Sequence, residues 1–307
     1  MEEIMKKSPK LLPASARRVV AEGNLGYLEG ARWHQGALWF SDMTRRKICR
    51  MIPGENVEDI ADIPGTPSGL GFAPDGTPMV VSLKENRLLS VEESGLKEIA
   101  DLTQVAFHPN DMAVDNEGRA YIGPQGYEFG SEPIGVSLVI CHPDGKIEPA
   151  GTDLIFPNGI VISGDSRTLI VAESFRAPHS RLTAFDIVED GLLINQRVFA
   201  EFGPPDTDSV DGLSIDSEGA VWAAFPWTGE FRRVREGGEI TDIIRIEPDK
   251  NTYQDGGTFA VDSVLGGPEL RTLYLLISDT NPDRLVNNFD ATGRIEAIDV
   301  EIPGLPG

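Results

Sequence analysis

One short motif repeats along the whole chain, and it constrains the fold more than any other feature of the sequence. Its clearest copy is PNGIVISGDSRTLIVAES at residues 157–174, where a polar residue and a glycine precede an apolar run, a turn and a second apolar run. Two β-prone runs joined by turn residues predict a hairpin. Because the hairpin recurs, the copies are expected to fold alike and to pack against one another.

Six copies align on this opening. Their first residues lie roughly 40–50 positions apart, which is the period typical of β-propeller blades. The copies begin at Glu29, Ser68, Asn110, Asn158, Asp211 and, most weakly, Gly257. Each period has room for two further strands after the hairpin. The sequence therefore predicts an all-β chain folded as a six-bladed β-propeller.

The last copy is one strand short. It ends in EIPGLPG, whereas RRVVAE at 17–22 has strand character but no hairpin partner of its own. We expect this N-terminal strand to complete the last blade, because closure of the ring removes exposed strand edges. Residues 1–16 are expected to form a flexible arm, and residues 17–307 a single propeller domain.

Composition narrows the class of partner. The formal net charge of −22 and the pI near 4.5 argue against nucleic acid or an anionic membrane, because phosphate binding needs clustered Lys and Arg. The N-terminal stretch has no apolar leader, and Cys49 and Cys141 fall in predicted strands as buried thiols. The sequence predicts a cytoplasmic protein, a monomer or homodimer, that acts on a small molecule.

The first residue of each copy is expected to face the central channel, because equivalent positions of a propeller lie at one height around its axis. Four of them bring carboxylate or carboxamide oxygens: Glu29, Asn110, Asn158 and Asp211. When carboxylates are buried together, either their pKa values rise or a cation sits among them. Oxygen donors favour Ca²⁺, Mg²⁺ or Mn²⁺ as the bound cation, with Zn²⁺ as a further candidate. The alternative is ordered water, or an ion that only seals the channel.

Loops at the same end of the propeller surround these residues. They contain Leu28, Met43, Lys84, Phe107, Gln125, Phe156, Arg176 and Tyr253, among others. Apolar and aromatic side chains over a few polar groups are typical of a small-molecule pocket. From these loops we expect five residues to contact the substrate: His108, Tyr127, Phe175, His179 and Trp227.

Four copies open with distinctive motifs, namely EGARW at 29–33, HPND at 108–111, PNGI at 157–160 and DGLSID at 211–216. Taken together, these motifs resemble the SMP-30/gluconolactonase/LRE-like family of six-bladed propellers, the regucalcin-like lactonases. The resemblance spans nearly the whole chain.

The resemblance implies a lactonase with one divalent cation, usually calcium, held by Glu29, Asn158 and Asp211. It also implies that Asn110 lies beside the cation and contacts metal or substrate, and that Asp211 doubles as general base. The chain departs from the sugar-lactone members at His108, where they tend to carry an Arg, and in GPQGYEFG at 123–130, which is longer and more aromatic. A less polar lactone is therefore as well supported as an aldonolactone.

The chemistry so implied is hydrolytic ring opening. The metal polarises the lactone carbonyl, Asp211 takes a proton from the attacking water, with His108 and His179 as the other candidate bases, and Asn110 orients the substrate. Neither a G-x-S-x-G elbow nor a His–Glu zinc motif is present. Three alternatives stay open: phosphotriester hydrolysis at the same metal, a non-catalytic ligand-binding propeller, and hydration or condensation chemistry.

Overall fold

The computed structural model describes residues 8–128, 131–246, 257–281, 284 and 290–306. These residues form six sheets, antiparallel except for one short parallel edge strand, and the first strands of neighbouring sheets contact one another around a central axis. The prediction of an all-β, six-bladed β-propeller is confirmed. No helix in the described part of the chain has the length and apolar character needed to cross a membrane.

The first three blades each use four consecutive strands. Blade one consists of β3 (Leu28–His34), β4 (Ala37–Asp42), β5 (Lys47–Met51) and β6 (Glu58–Asp62). Blade two consists of β7 (Pro67–Phe72), β8 (Pro78–Ser82), β9 (Arg87–Glu92) and β10 (Gly95–Asp101). Blade three consists of β11 (Pro109–Val114), β12 (Ala120–Pro124), β13 (Val136–Cys141) and β14 (Ile147–Leu154).

The last three blades follow the same plan, except that the final one takes a strand from the N-terminus. Blade four consists of β15 (Pro157–Ile162), β16 (Thr168–Glu173), β17 (Arg181–Ile187) and β18 (Leu193–Glu201). Blade five consists of β19 (Leu213–Ile215), β20 (Val221–Phe225), β21 (Glu230–Val234) and β22 (Ile240–Arg245). Blade six consists of β23 (Gly257–Gly266), β24 (Thr272–Thr280), β25 (Thr292–Asp299) and β2 (Arg18–Glu22). Among the described residues, the helical segments with complete bounds are α1 (Pro205–Asp208) and 3-10 turns at Ala14–Ala16 and Glu189–Gly191.

The N-terminal strand closes the ring, as the missing strand of the last copy predicts. β2 pairs antiparallel with β25, and Arg17 forms a 2.6 Å ion pair with Glu296 just before the strand begins. Both side chains of this pair are largely buried. Val20 packs into the apolar cluster between blades six and one, so the closing strand contributes to the core as well as to the sheet.

The N-terminal arm differs from the expectation of a flexible segment over residues 1–16. In its described part, β1 (Lys10–Leu11) pairs in parallel with the outer strand β22 of blade five. Leu12 packs against the apolar cluster between blades five and six. The arm is therefore anchored from Lys10 onward, through a pairing too short to be recognised in the sequence.

Apolar side chains fill the space between neighbouring blades. Phe40 of blade one packs near Leu276 of blade six, and Leu182 of blade four near Phe225 of blade five. Cys49 and Cys141 are buried and free, and burial raises the pKa of their thiols to about 12 and about 11. The expectation of buried thiols agrees with this packing.

The innermost strand of a blade is irregular where it approaches the axis. The register of β3 against β4 shifts between Glu29 and Arg32, and the equivalent shift interrupts β7, β11 and β15. Such bulges free a residue from the ladder and redirect its side chain. Ser68, Asn110 and Asn158 lie within this interruption and Glu29 lies at its edge, where the strand approaches the centre of the ring.

Strand β2 offers a matched pair for testing closure. Val20 is half-buried against the core, whereas its neighbour Val19 is exposed. We expect Val20→Asp to lower the free energy of unfolding by about 2 kcal/mol, because it places a charge against apolar side chains. Val19→Asp is expected to change it by less than about 0.5 kcal/mol. Urea unfolding measures both, and equal losses would contradict the role of β2 in closing the core.

Candidate active site

The structure brings the predicted polar residues of four different blades to one cavity. Glu29, Asn110, Asn158 and Asp211 all line a cavity of about 560 Å³ at one end of the channel. Their side chains are at least nine-tenths buried. We call these four, together with the equivalent residues of blades two and six, the ring residues. Residues far apart in the sequence thus meet at the floor of one cavity.

The sixth ring residue is Val261, and the alignment of the last copy on Gly257 is wrong. Asp262 accepts a 2.7 Å hydrogen bond from the backbone N–H of Ala31 in blade one. Asp111, which follows ring residue Asn110, accepts the corresponding bond from Ile160 in blade four at 3.0 Å. Asp262 therefore matches Asp111. The error arose because β23 starts earlier than the other innermost strands and Gly257 only begins it.

The position after each ring residue lies where neighbouring blades nearly touch. A Cβ atom on Gly30 would lie 2.6 Å from the carbonyl oxygen of Ser68, and one on Gly159 would lie 2.6 Å from that of Asp211. Around the ring this position reads Gly30, Gly69, Asp111, Gly159, Gly212 and Asp262. The series Gly, Gly, Asp thus occurs twice around the ring. Each aspartate accepts a hydrogen bond from a backbone N–H of the next blade.

Hydrogen bonds hold the ring amides in fixed orientations. The Ser68 hydroxyl donates to Asn110 Oδ1 at 2.7 Å, and Asn110 Nδ2 donates to Asn158 Oδ1 at 2.8 Å. Asn158 Nδ2 in turn donates to Ser174 Oγ at 3.2 Å, whose hydroxyl donates to the carbonyl of Val210. An amide oxygen has two lone pairs, so Asn158 Oδ1 retains one for a further partner.

The two ring carboxyl groups lie in an environment that disfavours their charge. Burial first, and then the charges of Asp211, Asp262 and Asp111, raise the pKa of Glu29 well above its usual value. Burial, and then the charges of Asp262 and Asp111, do the same for Asp211, against a hydrogen bond from Asn158 that lowers it. Asp211 Oδ1 is buried and has no hydrogen-bond partner. A cation would relieve both the repulsion and this unpaired oxygen.

The donor set suits a hard divalent cation. Within the described ranges, no group of three or more His, Cys, Asp or Glu side chains is placed to hold a metal. The ring instead offers the carboxylates of Glu29 and Asp211 together with the amide oxygen of Asn158. Mixed carboxylate and amide oxygens are ligands that Ca²⁺ accepts, with remaining positions left for water or substrate. The residues present therefore fit the expected ion.

Arg32 lies beneath the ring and joins blades one and three. Its guanidinium donates to Asp111 Oδ1 at 3.0 Å and to the carbonyl oxygen of Met112. Burial first raises the pKa of Asp262 to about 7, with the charge of Asp111 acting in the same direction, and the charge of Arg32 lowers it. Arg32 thus provides positive charge for the two aspartates below the candidate cation site. The sequence pattern gave no sign of this role.

The residues expected to contact substrate divide into two groups. His108, Phe175 and Trp227 line the cavity. Tyr127 is not among the described lining residues. It packs edge-on against Phe156, which does line the cavity, with ring centroids 5.6 Å apart. His179 is exposed and is also absent from the described lining. Tyr127 therefore supports the wall from behind, and His179 lies outside it.

Residues two positions before the ring residues form much of the wall and were largely missed. The lining members of this set are Tyr27, His108, Phe156, Ser209 and Phe259. All but Phe259 lie before the innermost strand of their blade. His108 and Phe156 both have φ of +51, a left-handed conformation that costs non-glycine residues energy. Strand alternation does not extend to these positions, so the sequence pattern indicates only His108 and Phe156, as loop residues.

Tyr27 approaches both ring carboxyl groups. Burial first, and then the charges of Asp211 and Glu29, raise the pKa of its phenol well above the usual value. The hydroxyl therefore remains protonated at neutral pH and can donate a hydrogen bond inside the cavity.

Comparison with known proteins identifies the family to which the chain is similar. Residues 28–278 match the family described as the SMP-30/Gluconolactonase/LRE-like region. The chain is 25% identical over 287 residues to pentonolactonase XacC of Haloferax volcanii, a match that covers 91% of this chain and 92% of that protein.

Two solved structures share the fold along nearly the whole chain. Regucalcin from Agrobacterium tumefaciens, described as a calcium-binding protein, superposes with a TM-score of 0.74 at 19% identity, covering 97% of this chain and 99% of that one. A gluconolactonase from Xanthomonas campestris superposes with a TM-score of 0.69 at 19% identity, covering 97% and 95%.

The role of Arg32 can be tested against an exposed arginine. We expect Arg32→Met to lower the free energy of unfolding by about 3 kcal/mol, because it leaves the buried carboxyl group of Asp111 without its ion pair. Arg235, whose ion pairs with Glu218 and Glu239 are solvent-exposed, is the control, and Arg235→Met should cost less than about 1 kcal/mol. Chemical unfolding of both variants measures these losses of unfolding free energy. Similar losses would show that Arg32 does not neutralise the buried carboxyl groups of the channel.

Proposed function

The chain belongs to the SMP-30/gluconolactonase/LRE-like family, and we propose that it is a divalent-metal-dependent hydrolase that opens a lactone ring. The observation that carries this proposal is the pair of buried carboxyl groups, Glu29 and Asp211, at the floor of the cavity, with Asp211 Oδ1 lacking a partner. Such groups become stable as anions only beside positive charge.

One cation at the ring satisfies this requirement. We assign it to the carboxylates of Glu29 and Asp211 and to the free lone pair of Asn158 Oδ1, and we propose Ca²⁺ because all three are hard oxygen donors. When bound, this ion supplies the positive charge that polarises the ester carbonyl of the substrate. The calcium-binding regucalcin among the solved structures supports the choice of ion.

Asp211 acts as the general base in this proposal. A carboxylate oxygen of Asp211 accepts a proton from water as the water oxygen bonds to the carbonyl carbon of the lactone. The ring C–O bond then breaks, and the proton passes to the departing ring oxygen, which yields an open-chain hydroxy acid. Water and lactone are consumed in equal amounts, so the step needs no further reactant.

Asn110 and Tyr27 position the substrate. Asn110 Nδ2 uses one N–H on Asn158, which leaves a second N–H to donate to a substrate oxygen. The protonated hydroxyl of Tyr27 offers another donor on the side of Glu29 and Asp211. Fixed donors around a reacting ester lower the barrier because they need no reorganisation during the reaction. The relative named pentonolactonase supports a lactone as substrate class.

Conservative replacements of the two ring acids test the assignment. We expect Asp211→Asn to lower kcat for lactone hydrolysis by about 10²–10⁴-fold, because the amide cannot accept the proton. Glu29→Gln should lower cation affinity and activity together. Asp165→Asn, at an exposed turn of blade four, is the control and should retain full activity.

Acid release from a panel of small lactones, with circular dichroism to check folding, measures these effects. Full turnover in both ring variants would rule out the proposed site. A preparation that hydrolyses an organophosphate triester but opens no lactone would replace lactone hydrolysis with phosphotriester hydrolysis.

Cation binding should also be visible without any substrate. Because the folded state gathers the repelling carboxyl groups and the unfolded chain separates them, a bound cation stabilises the folded state. At a cation concentration of 100 times Kd we expect about 2.7 kcal/mol of stabilisation. Thermal melting with Ca²⁺ or with chelator should differ for the wild type and coincide for Glu29→Gln. If the wild-type melting curves in Ca²⁺, Mg²⁺ and Mn²⁺ all coincide with the curve in chelator, the cation site is contradicted.

A further inference from the structure

The wall of the cavity points to a substrate more specific than a lactone in general. Resting on the proposed function, we propose that the lactones opened here carry an apolar alkyl or aryl substituent instead of a set of free hydroxyl groups. The polar floor binds the ester, and the apolar wall binds the substituent.

Most of the described wall is apolar. One apolar cluster at this end of the channel contains Tyr27, Met43, Leu83, Trp227 and Phe259, and Phe175 packs against it. All six also line the cavity. These residues come from blades one, two, four, five and six, so the apolar surface extends around most of the ring.

The aromatic rings of this wall are held in place by one another. Phe156 stands edge-on to Phe175 with ring centroids 4.8 Å apart, and Trp227 stands edge-on to Phe259 at 5.3 Å. The indole N–H of Trp227 donates to the carbonyl oxygen of Pro205 at 3.0 Å. The polar atom of the largest ring is thereby engaged with the protein and is not available to a substrate hydroxyl.

The charged, imidazole and amide side chains of the described rim lie on one side, whereas the hydroxyl groups of Ser174 and Ser209, which also line the cavity, already donate to backbone carbonyl oxygens. Lys84 follows the second strand of blade two, and His108, Gln125 and Glu128 belong to the loops of blade three. A lactone with a single polar edge can meet these groups and the ring amides. An aldonolactone carries hydroxyl groups around its whole ring, so some of them would face phenyl and indole surfaces.

The two substrate classes differ in the free energy of transfer from water to such a cavity. A hydroxyl group moved from water to an apolar wall loses its hydrogen bonds, whereas a methylene group gains from the same transfer. Each methylene that reaches the wall is expected to raise kcat/KM about three- to fourfold. A cavity of about 560 Å³ has the size of sites that bind drug-sized molecules, so several methylenes fit.

The test compares kcat/KM of the calcium-loaded protein for γ-butyrolactone, γ-decalactone and a pentono-1,4-lactone. We expect γ-decalactone to exceed the pentonolactone at least tenfold and to exceed γ-butyrolactone by more. Faster opening of the pentonolactone would overturn this inference and leave the proposed hydrolysis intact. If none of the three is opened, the proposed function fails and the inference fails with it.

A matched pair of phenylalanines in blade four shows whether the wall is responsible. Phe175 lines the cavity, whereas Phe202 is also half-buried and edge-on to one phenylalanine at 4.8 Å, but packs between blades four and five. Phe175→Ala should lower the ratio of kcat/KM for γ-decalactone over γ-butyrolactone about tenfold, and Phe202→Ala should leave it unchanged. An unchanged ratio in Phe175→Ala, or an equal fall in both variants, would overturn the assignment of the wall.

Discussion

The electrostatic repulsion among buried carboxyl groups at the axis is the constraint on which the rest of this structure depends. Glu29 and Asp211 meet at the floor of the cavity, where burial first, and then the charges of Asp262 and Asp111, raise the pKa of both. Arg32 offsets part of this charge from below. Under the proposed function, a cation on the side that opens to the cavity neutralises the remainder.

Much of the fold followed from repetition alone. The period of the motif, the turn residues and the missing last strand sufficed to predict six blades and the closing role of residues 17–22, observed as Arg18–Glu22. The ring acids and amides followed because equivalent positions share a height. The prediction placed the sixth ring residue wrongly, because β23 is long and its apolar run does not show which residue is equivalent to the other ring residues. The hydrogen bond that Asp262 accepts from the N–H of Ala31 identifies the correct alignment.

The remainder of the site depends on contacts between distant residues. Nothing in EGARW indicates that Arg32 reaches across to Asp111, because this depends on how blades one and three approach the axis. The sequence pattern does not predict the conformation of the loops either. The expectation that His179 lines the cavity was wrong for this reason. The repeat therefore specifies the scaffold and the floor, whereas the wall of the cavity comes from loops and strand ends that differ between copies. Under the proposed function, one scaffold can thus combine the same floor with walls that suit different substituents.

X-ray diffraction from crystals grown with Mn²⁺ tests the central claim most directly, because the anomalous signal locates the ion without reference to any assay. We expect one anomalous peak on the propeller axis, within about 2.6 Å of oxygens from Glu29, Asn158 and Asp211. An axis without a peak at saturating Mn²⁺, with water among these three side chains, would contradict it.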